Sequence, residues 1–146
     1  ICQTKNDHSL YAWGLATNCQ FGFRETSDPI IKPLKISYLP NFTKYFDKDR
    51  YVIKYKCGQS STVFLDNKGE LYCTGPPYSN YNIKKYERLS VYNELTVDFW
   101  VGLNHLIIKT LQNNYYSVGD NTYEQCLLSN KNIKINDDKI IKKPIK

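Results

Sequence analysis

Apolar and polar positions alternate along short stretches of this chain, and each stretch is closed by turn-forming residues. Tyr51-Val52-Ile53-Lys54-Tyr55-Lys56-Cys57 and Leu95-Thr96-Val97-Asp98-Phe99-Trp100-Val101 follow a period of two, which predicts strands. Each is followed by glycine, Gly58 and Gly102, and then by a second apolar run. Gly58-Gln59-Ser60-Ser61-Thr62-Val63-Phe64-Leu65 aligns in this way with Gly102-Leu103-Asn104-His105-Leu106-Ile107-Ile108-Lys109. Asp66-Asn67-Lys68-Gly69 and Leu111-Gln112-Asn113-Asn114 come next. Asn and Gly tolerate the positive φ of tight hairpins, so both predict hairpin turns.

A third strand follows each turn and ends in glycine: Leu71-Tyr72-Cys73-Thr74-Gly75 and Tyr115-Tyr116-Ser117-Val118-Gly119. Leu10-Tyr11-Ala12-Trp13-Gly14 has the same shape. It reads as the third strand of a unit whose earlier strands lie elsewhere. The spacing is 17 residues from Gly58 to Gly75 and again from Gly102 to Gly119. A second spacing, of six residues, separates Gly14 from Gln20 and Gly119 from Gln125. The middle copy departs here, with Pro76-Pro77-Tyr78 and no Gln at that offset. A fourth strand per unit is expected at Lys32–Tyr38, Tyr86–Val91 and Lys139–Lys142. Pro33 and Pro144 suit an outer edge, because proline cannot donate to a central ladder.

Unit lengths of 61 residues (Gly14 to Gly75) and 44 residues (Gly75 to Gly119), with about four short antiparallel strands each, predict β-propeller blades. The expected division is a blade remnant at 1–47, a blade at 48–93 and a blade at 94–146, the last ending in a Lys-rich segment, 131–146. This all-β reading, about two full blades plus part of a third, agrees with composition. Thirteen Tyr, six Phe and many β-branched residues stand against only two alanines, Ala12 and Ala16.

The pattern Gly-x-x-(His/Ser)-x-x-x-Leu, Gly-x-Leu-Tyr-x-x-Gly and Gln-x-Gly resembles the repeat of the regulator of chromosome condensation family. Trp13-Gly14, Gln20-x-Gly22, Gly58 and Gly102-x-x-His105 carry it most clearly. The resemblance implies a seven-bladed propeller, of which three units form an open arc. It also implies structural roles for Trp13, Gly14, Gln20, Gly22, Gly58, Gly75, Gly102, His105, Gly119 and Gln125. The departures are Ser61 where the family often has His, the missing Gln in the middle copy, and Cys73-Thr74 before Gly75.

The residues themselves suggest the following roles. Gly14, Gly75 and Gly119 are expected where strands converge and a Cβ would clash. His105 is expected to make a structural hydrogen bond between strands, and Gln20 and Gln125 to satisfy loop backbone. Trp13 and Trp100 are expected in the core. Cys2, Cys19, Cys57, Cys73 and Cys126 include no CxxC pair and give no zinc spacing, so they read as buried free thiols. That favours an intracellular, reducing compartment, whether cytoplasmic, nuclear or mitochondrial. The acidic residues form no recurrent pair, and no phosphate loop or nucleophile motif is present. The expectation is therefore a non-enzyme without cofactor or metal.

The net charge of +6 is concentrated in 131–146, where six Lys stand against Asp137 and Asp138. The segment could meet a phosphate backbone, and so a nucleic acid partner, but a solvated Lys-rich edge is the preferred reading. No apolar run is long enough to span a bilayer. The chain has no methionine and begins at isoleucine, which suggests a piece of a longer product. The expected function is a protein-interaction or scaffold module in a larger assembly. The resemblance points to mitochondrial or ribonucleoprotein assemblies. It also brings two alternatives: nucleotide exchange on a small GTPase, and chromatin or RNA binding.

Overall fold

The computed structural model describes residues 1–17, 20–21, 29–36, 46, 49–75, 87–89, 93–126 and 140–145. Eleven strands form among them: β1 (Cys2–Gln3), β2 (Leu10–Gly14), β3 (Ile30–Lys35), β4 (Val52–Cys57), β5 (Thr62–Asp66), β6 (Leu71–Thr74), β7 (Glu87–Leu89), β8 (Thr96–Val101), β9 (His105–Thr110), β10 (Tyr115–Asp120) and β11 (Ile140–Ile145). They make three antiparallel sheets, ordered β1-β2-β3, β4-β5-β6-β7 and β8-β9-β10-β11. Every pairing is between strands adjacent in sequence, as hairpin connections require. The fold is a partial β-propeller.

The predicted strands are found with small shifts at their ends. β3 starts earlier than expected, at Ile30, and both Pro33 and Pro144 lie in outermost strands. The first sheet holds one strand more than expected, since Cys2–Gln3 pairs with Leu10–Tyr11. The hairpin turns fall at the predicted residues. Gly69 (φ +78°) and Asn113 (φ +62°) supply the left-handed conformations. The turns close by equivalent bonds, Asp66 N–H to Glu70 O at 3.0 Å and Thr110 N–H to Asn114 O at 3.0 Å.

Strand alternation distributes side chains between two cores. Leu10, Ala12, Ile36 and Phe46 pack with Phe64 and Tyr72 between the first and second sheets. Val63, Leu65, Leu71 and Cys73 pack with Phe99, Leu106, Ile108, Tyr116 and Val118 between the second and third. The second sheet is thus covered on both faces, and every residue of β5 and β6 is buried. In β9, by contrast, buried and half-buried residues alternate.

Two groups of expectations are corrected. Trp13 and Trp100 are not core residues: they are 45% and 46% exposed, on the faces turned away from the two cores. Of the thiols, Cys73 and Cys126 are buried but Cys2 and Cys57 are exposed. Cys19, Gly22, residues 76–86 and residues 131–139 of the Lys-rich segment lie outside the described residues.

The expected clash at strand-end glycines holds at one position and not at another. A Cβ on Gly75 would lie 2.1 Å from the Ser60 carbonyl oxygen. One on Gly14 would meet nothing within 4 Å, and there the requirement is the backbone conformation, φ +103°. Gly119 shares that conformation at φ +112°. Gly14→Ala should therefore cost about 1–2 kcal/mol, the strain of a left-handed residue. Gly75→Ala should cost clearly more, because strain and backbone overlap combine. Urea unfolding of both variants checks the order, and equal losses would contradict it.

Candidate interaction site

The two complete hairpins carry polar clusters at matching positions. Arg50 and Glu94 each precede the first strand of a four-stranded sheet, eight residues before Gly58 and Gly102. Each reaches the hairpin turn of its own sheet. The Arg50 guanidinium pairs with Asp66 at 3.1 Å and binds Glu70 and the Tyr72 hydroxyl. Arg88 holds the other Glu70 oxygen at 2.6 Å. In the third sheet Glu94 accepts from Thr110 Oγ1 at 2.5 Å, Asn114 Nδ2 at 3.0 and 3.2 Å, and Tyr116 Oη at 2.8 Å. Asp66, Glu70 and Tyr72 thus stand where Thr110, Asn114 and Tyr116 stand. The central group changes from cation to carboxylate, and its surroundings change from acceptors to donors.

Electrostatics follow from these contacts. Asp66 is fully buried, yet its carboxylate also accepts from the backbone N–H of Lys68 at 2.9 Å and Glu70 at 2.7 Å. Burial works to raise the Glu70 pKa, but hydrogen bonds from Arg50 and Tyr72 outweigh it and hold the carboxyl below its ordinary value. Hydrogen bonding to Glu70 raises the pKa of Arg50. Burial, with the Glu70 hydrogen bond, pushes Tyr72 up to about 12. A cleft of about 170 Å³ opens between the two clusters, lined by Glu70, Arg88, Asn93, Glu94 and the apolar Leu89 and Leu95. Most polar groups of the cluster residues are engaged with one another, so the clusters act as ties that hold the hairpins to the strands beside them.

The glycine turns form the opposite end of the sheets. A Cβ on Gly58 would lie 3.2 Å from the carbonyl oxygens of Gly102 and Leu103, and Gln59 N–H donates to Leu103 O at 3.3 Å. Adjacent sheets therefore touch turn to turn. His105 lies over Gly102, where a Cβ would come within 2.1 Å of its ring. Among the described residues its side chain makes no hydrogen bond, so ring-over-glycine packing replaces the expected strand-to-strand bond. The Gln125 side chain accepts from Tyr123 N–H at 2.7 Å. The Gln20 carbonyl accepts from Thr62 Oγ1 of the next sheet at 2.7 Å. Leu15, Leu103 and Tyr123 are exposed, at 56%, 65% and 86%. Each sits in a segment that follows a strand at this end.

Arg50, Glu70 and Glu94 were not among the expected site residues. The available signal was their offset from Gly58 and Gly102, but opposite charge at equivalent positions hides it from any search for a repeated residue type.

No family model matches this chain, and no curated protein matches it. Solved structures do match in fold. Human WBSCR16 is 18% identical with a TM-score of 0.69 over 92% of this chain. Prp20p from Saccharomyces cerevisiae is 17% identical with a TM-score of 0.73 over 97%. Yeast RCC1 (Prp20) bound to Kap60 is 19% identical with a TM-score of 0.68 over 97%. The chain spans about a third of the length of each, 33–34%. Its fold is that of a diverged RCC1-like propeller segment. Among the described residues no helix is long and apolar enough to cross a membrane.

Removing the Glu94 carboxylate takes an acceptor from Thr110, Asn114 and Tyr116, two of which are buried residues. Glu94→Ala should cost about 2–3 kcal/mol and Glu94→Gln roughly half of that, measured by urea unfolding. For Glu70 the folded pKa lies below the unfolded one, so its contribution is present at neutral pH and is lost as pH falls through the depressed value. The stability of the wild type should thus fall on acidification below about pH 4 more steeply than that of Arg50→Met. Parallel pH profiles would show that this tie does not set the titration.

Proposed function

We propose that this chain is a non-enzymatic protein-interaction module. It would be built as three blade units, 1–47, 48–93 and 94–146, that present their glycine-turn end to a protein partner. The observation that carries this reading is the set of exposed apolar side chains there, Leu15, Leu103 and Tyr123. Apolar side chains presented by turns on a framework held by backbone hydrogen bonds suit contact with a partner. The fold supports the same reading, since yeast RCC1 (Prp20) has been solved bound to Kap60. Membership of a particular larger assembly goes a step further and rests on the resemblance alone.

Affinity capture with the wild-type protein should yield a discrete protein partner. Capture should fall at least tenfold with Leu103→Glu/Tyr123→Glu. It should be unchanged with Leu111→Glu, an exposed residue at the opposite, hairpin end. Equal loss in both variants would contradict the assignment of the surface.

A second reading, action on a small GTPase, draws on Prp20p, which is described with binding properties towards Gsp1p and histones. It requires that the protein speed release of a labelled nucleotide from a small GTPase. We expect no acceleration by this chain alone, because no described residue stands out as a wedge into a nucleotide site. A rate increase at stoichiometric protein would favour exchange over the interaction reading.

A further inference from the structure

The chain carries a net charge of +6, yet its glycine-turn end is locally anionic. The described segments there, 15–17, 20–21, 58–61, 102–104 and 120–126, hold two carboxylates, Asp120 and Glu124, and no Lys or Arg. Both acids flank Tyr123 in the loop that follows β10, and no cation occurs anywhere from 110 to 130.

The repeat separates what the fold needs at this end from what it does not. Counted from the glycine that ends the third strand, the second and seventh loop residues are buried in the first and third copies. They are Ala16 and Phe21 after Gly14, and Asn121 and Cys126 after Gly119. The sixth is Gln20 in one and Gln125 in the other. The fourth differs, Asn18 in the first copy and Tyr123 in the third. The residue after the turn glycine differs in the same sense, Gln59 in the second copy and Leu103 in the third. At both positions the repeat accepts a polar residue, and the third unit supplies an apolar one that joins neither core.

This end stays open when a further sheet is present. Gln59 is exposed although its sheet has a neighbour on each side. Leu15 and Thr17 are exposed although the second sheet follows them, near enough for Thr62 Oγ1 to donate to the Gln20 carbonyl at 2.7 Å. The third unit is also fixed in shape. Asp120 N–H donates to Asn104 O at 2.8 Å, which joins the Tyr123 loop to the Leu103 turn. Within the loop, Thr122 N–H donates to Asp120 Oδ1 at 2.8 Å, Tyr123 N–H to Gln125 Oε1 at 2.7 Å and Cys126 N–H to Asn121 Oδ1 at 3.0 Å. Side chains on so fixed a support lose little freedom on binding.

We propose, on the basis of the protein-interaction reading above, that this corner of the third unit binds a protein segment in which apolar side chains stand beside Lys or Arg. The apolar side chains pack on Leu103 and Tyr123. The cations meet Asp120 and Glu124 at the rim, and the stem of a Lys or Arg has the Tyr123 ring to lie on. Charge thus selects the partner and apolar contact holds it. A phosphate backbone would bring negative charge to the same rim, so this corner selects against nucleic acid.

Selection of random peptides displayed on phage against the wild-type protein tests this, with the selected peptides then labelled and titrated by fluorescence polarisation. They should combine Leu, Ile or Phe with an excess of Lys and Arg. Leu103→Glu and Glu124→Lys should each weaken them at least about tenfold, and Glu124→Gln about threefold, the loss shrinking with added salt. Leu111→Glu should bind as the wild type does. Leu103 and Glu124 are exposed, so circular dichroism melts of all variants should match the wild type. Peptides that need Leu103 but carry no excess of Lys and Arg, or that bind Glu124→Lys as well as the wild type, overturn the basic partner and leave the interaction surface standing. A selection that yields no peptide dependent on Leu103 overturns both. Binding of a labelled single-stranded DNA that Leu103→Glu abolishes would put a nucleic acid at this corner instead and overturn the proposal.

Discussion

Val63 and Phe64 are neighbours in sequence and face different cores, and the arrangement of the sheets depends on that. A strand shows alternate residues to its two sides, so a sheet between two others must be apolar on both. The TVFLD of β5 and LYCT of β6 meet this requirement, and all their residues are buried. Among the described residues, the first and third sheets each pack one face against the second. A slip of one residue in β5 would exchange the contents of the two cores, so the register of this strand fixes the seating of both flanking sheets. Its pairing with β6, Phe64 opposite Tyr72 and Val63 opposite Cys73, keeps each face uniform.

The hairpin ties act on the same register from the polar side. Arg50 binds the turn at Asp66 and Glu70 and the strand at Tyr72, so it spans the β5–β6 pair at its closed end. Glu94 does the same for β9–β10 through Thr110, Asn114 and Tyr116. A half-buried arginine needs acceptors and a half-buried carboxylate needs donors, and each of these sets is consistent within itself. What recurs between the sheets is the geometry of the tie. The sign of its charge is free to change, provided that the turn residues change with it; the tyrosine stays, because its hydroxyl accepts from Arg50 in one sheet and donates to Glu94 in the other.

Much of this fold was legible because its constraints act on single residues at fixed spacing. Glycine at positive φ, Asn or Gly in the hairpin turn and alternation within strands each leave a mark in one sequence. Gly75 shows two such constraints at one residue, while Gly14 needs only its backbone conformation. The ties were not legible, since they join residues about 20 apart and the central residue changes from Arg50 to Glu94 between copies. The tryptophans were misread for a related reason. Alternation says that Trp13 and Ala12 face opposite sides, but not which side has a neighbour. His105 was misread because a ring over a glycine satisfies packing, whereas the sequence shows only a polar residue in a strand.

The edges of these sheets and their faces are treated differently, and this limits how a further strand can be added. The outermost strand β3 carries Lys32 and Lys35 together with Pro33, and Pro144 lies in the outermost strand β11. β7 carries Arg88. Charge and proline on an edge oppose the addition of a further strand, because each new pairing would bury a charge or forfeit a ladder bond. Addition of a further strand at these edges is therefore discouraged. The apolar surface that the sequence builds is instead on the sheet faces, where Val63 and Leu71 of the second sheet pack on Ile108 and Tyr116 of the third. Protection at the outer edges and apolar packing at the faces thus direct these repeats to stack face on face, as the two cores already do.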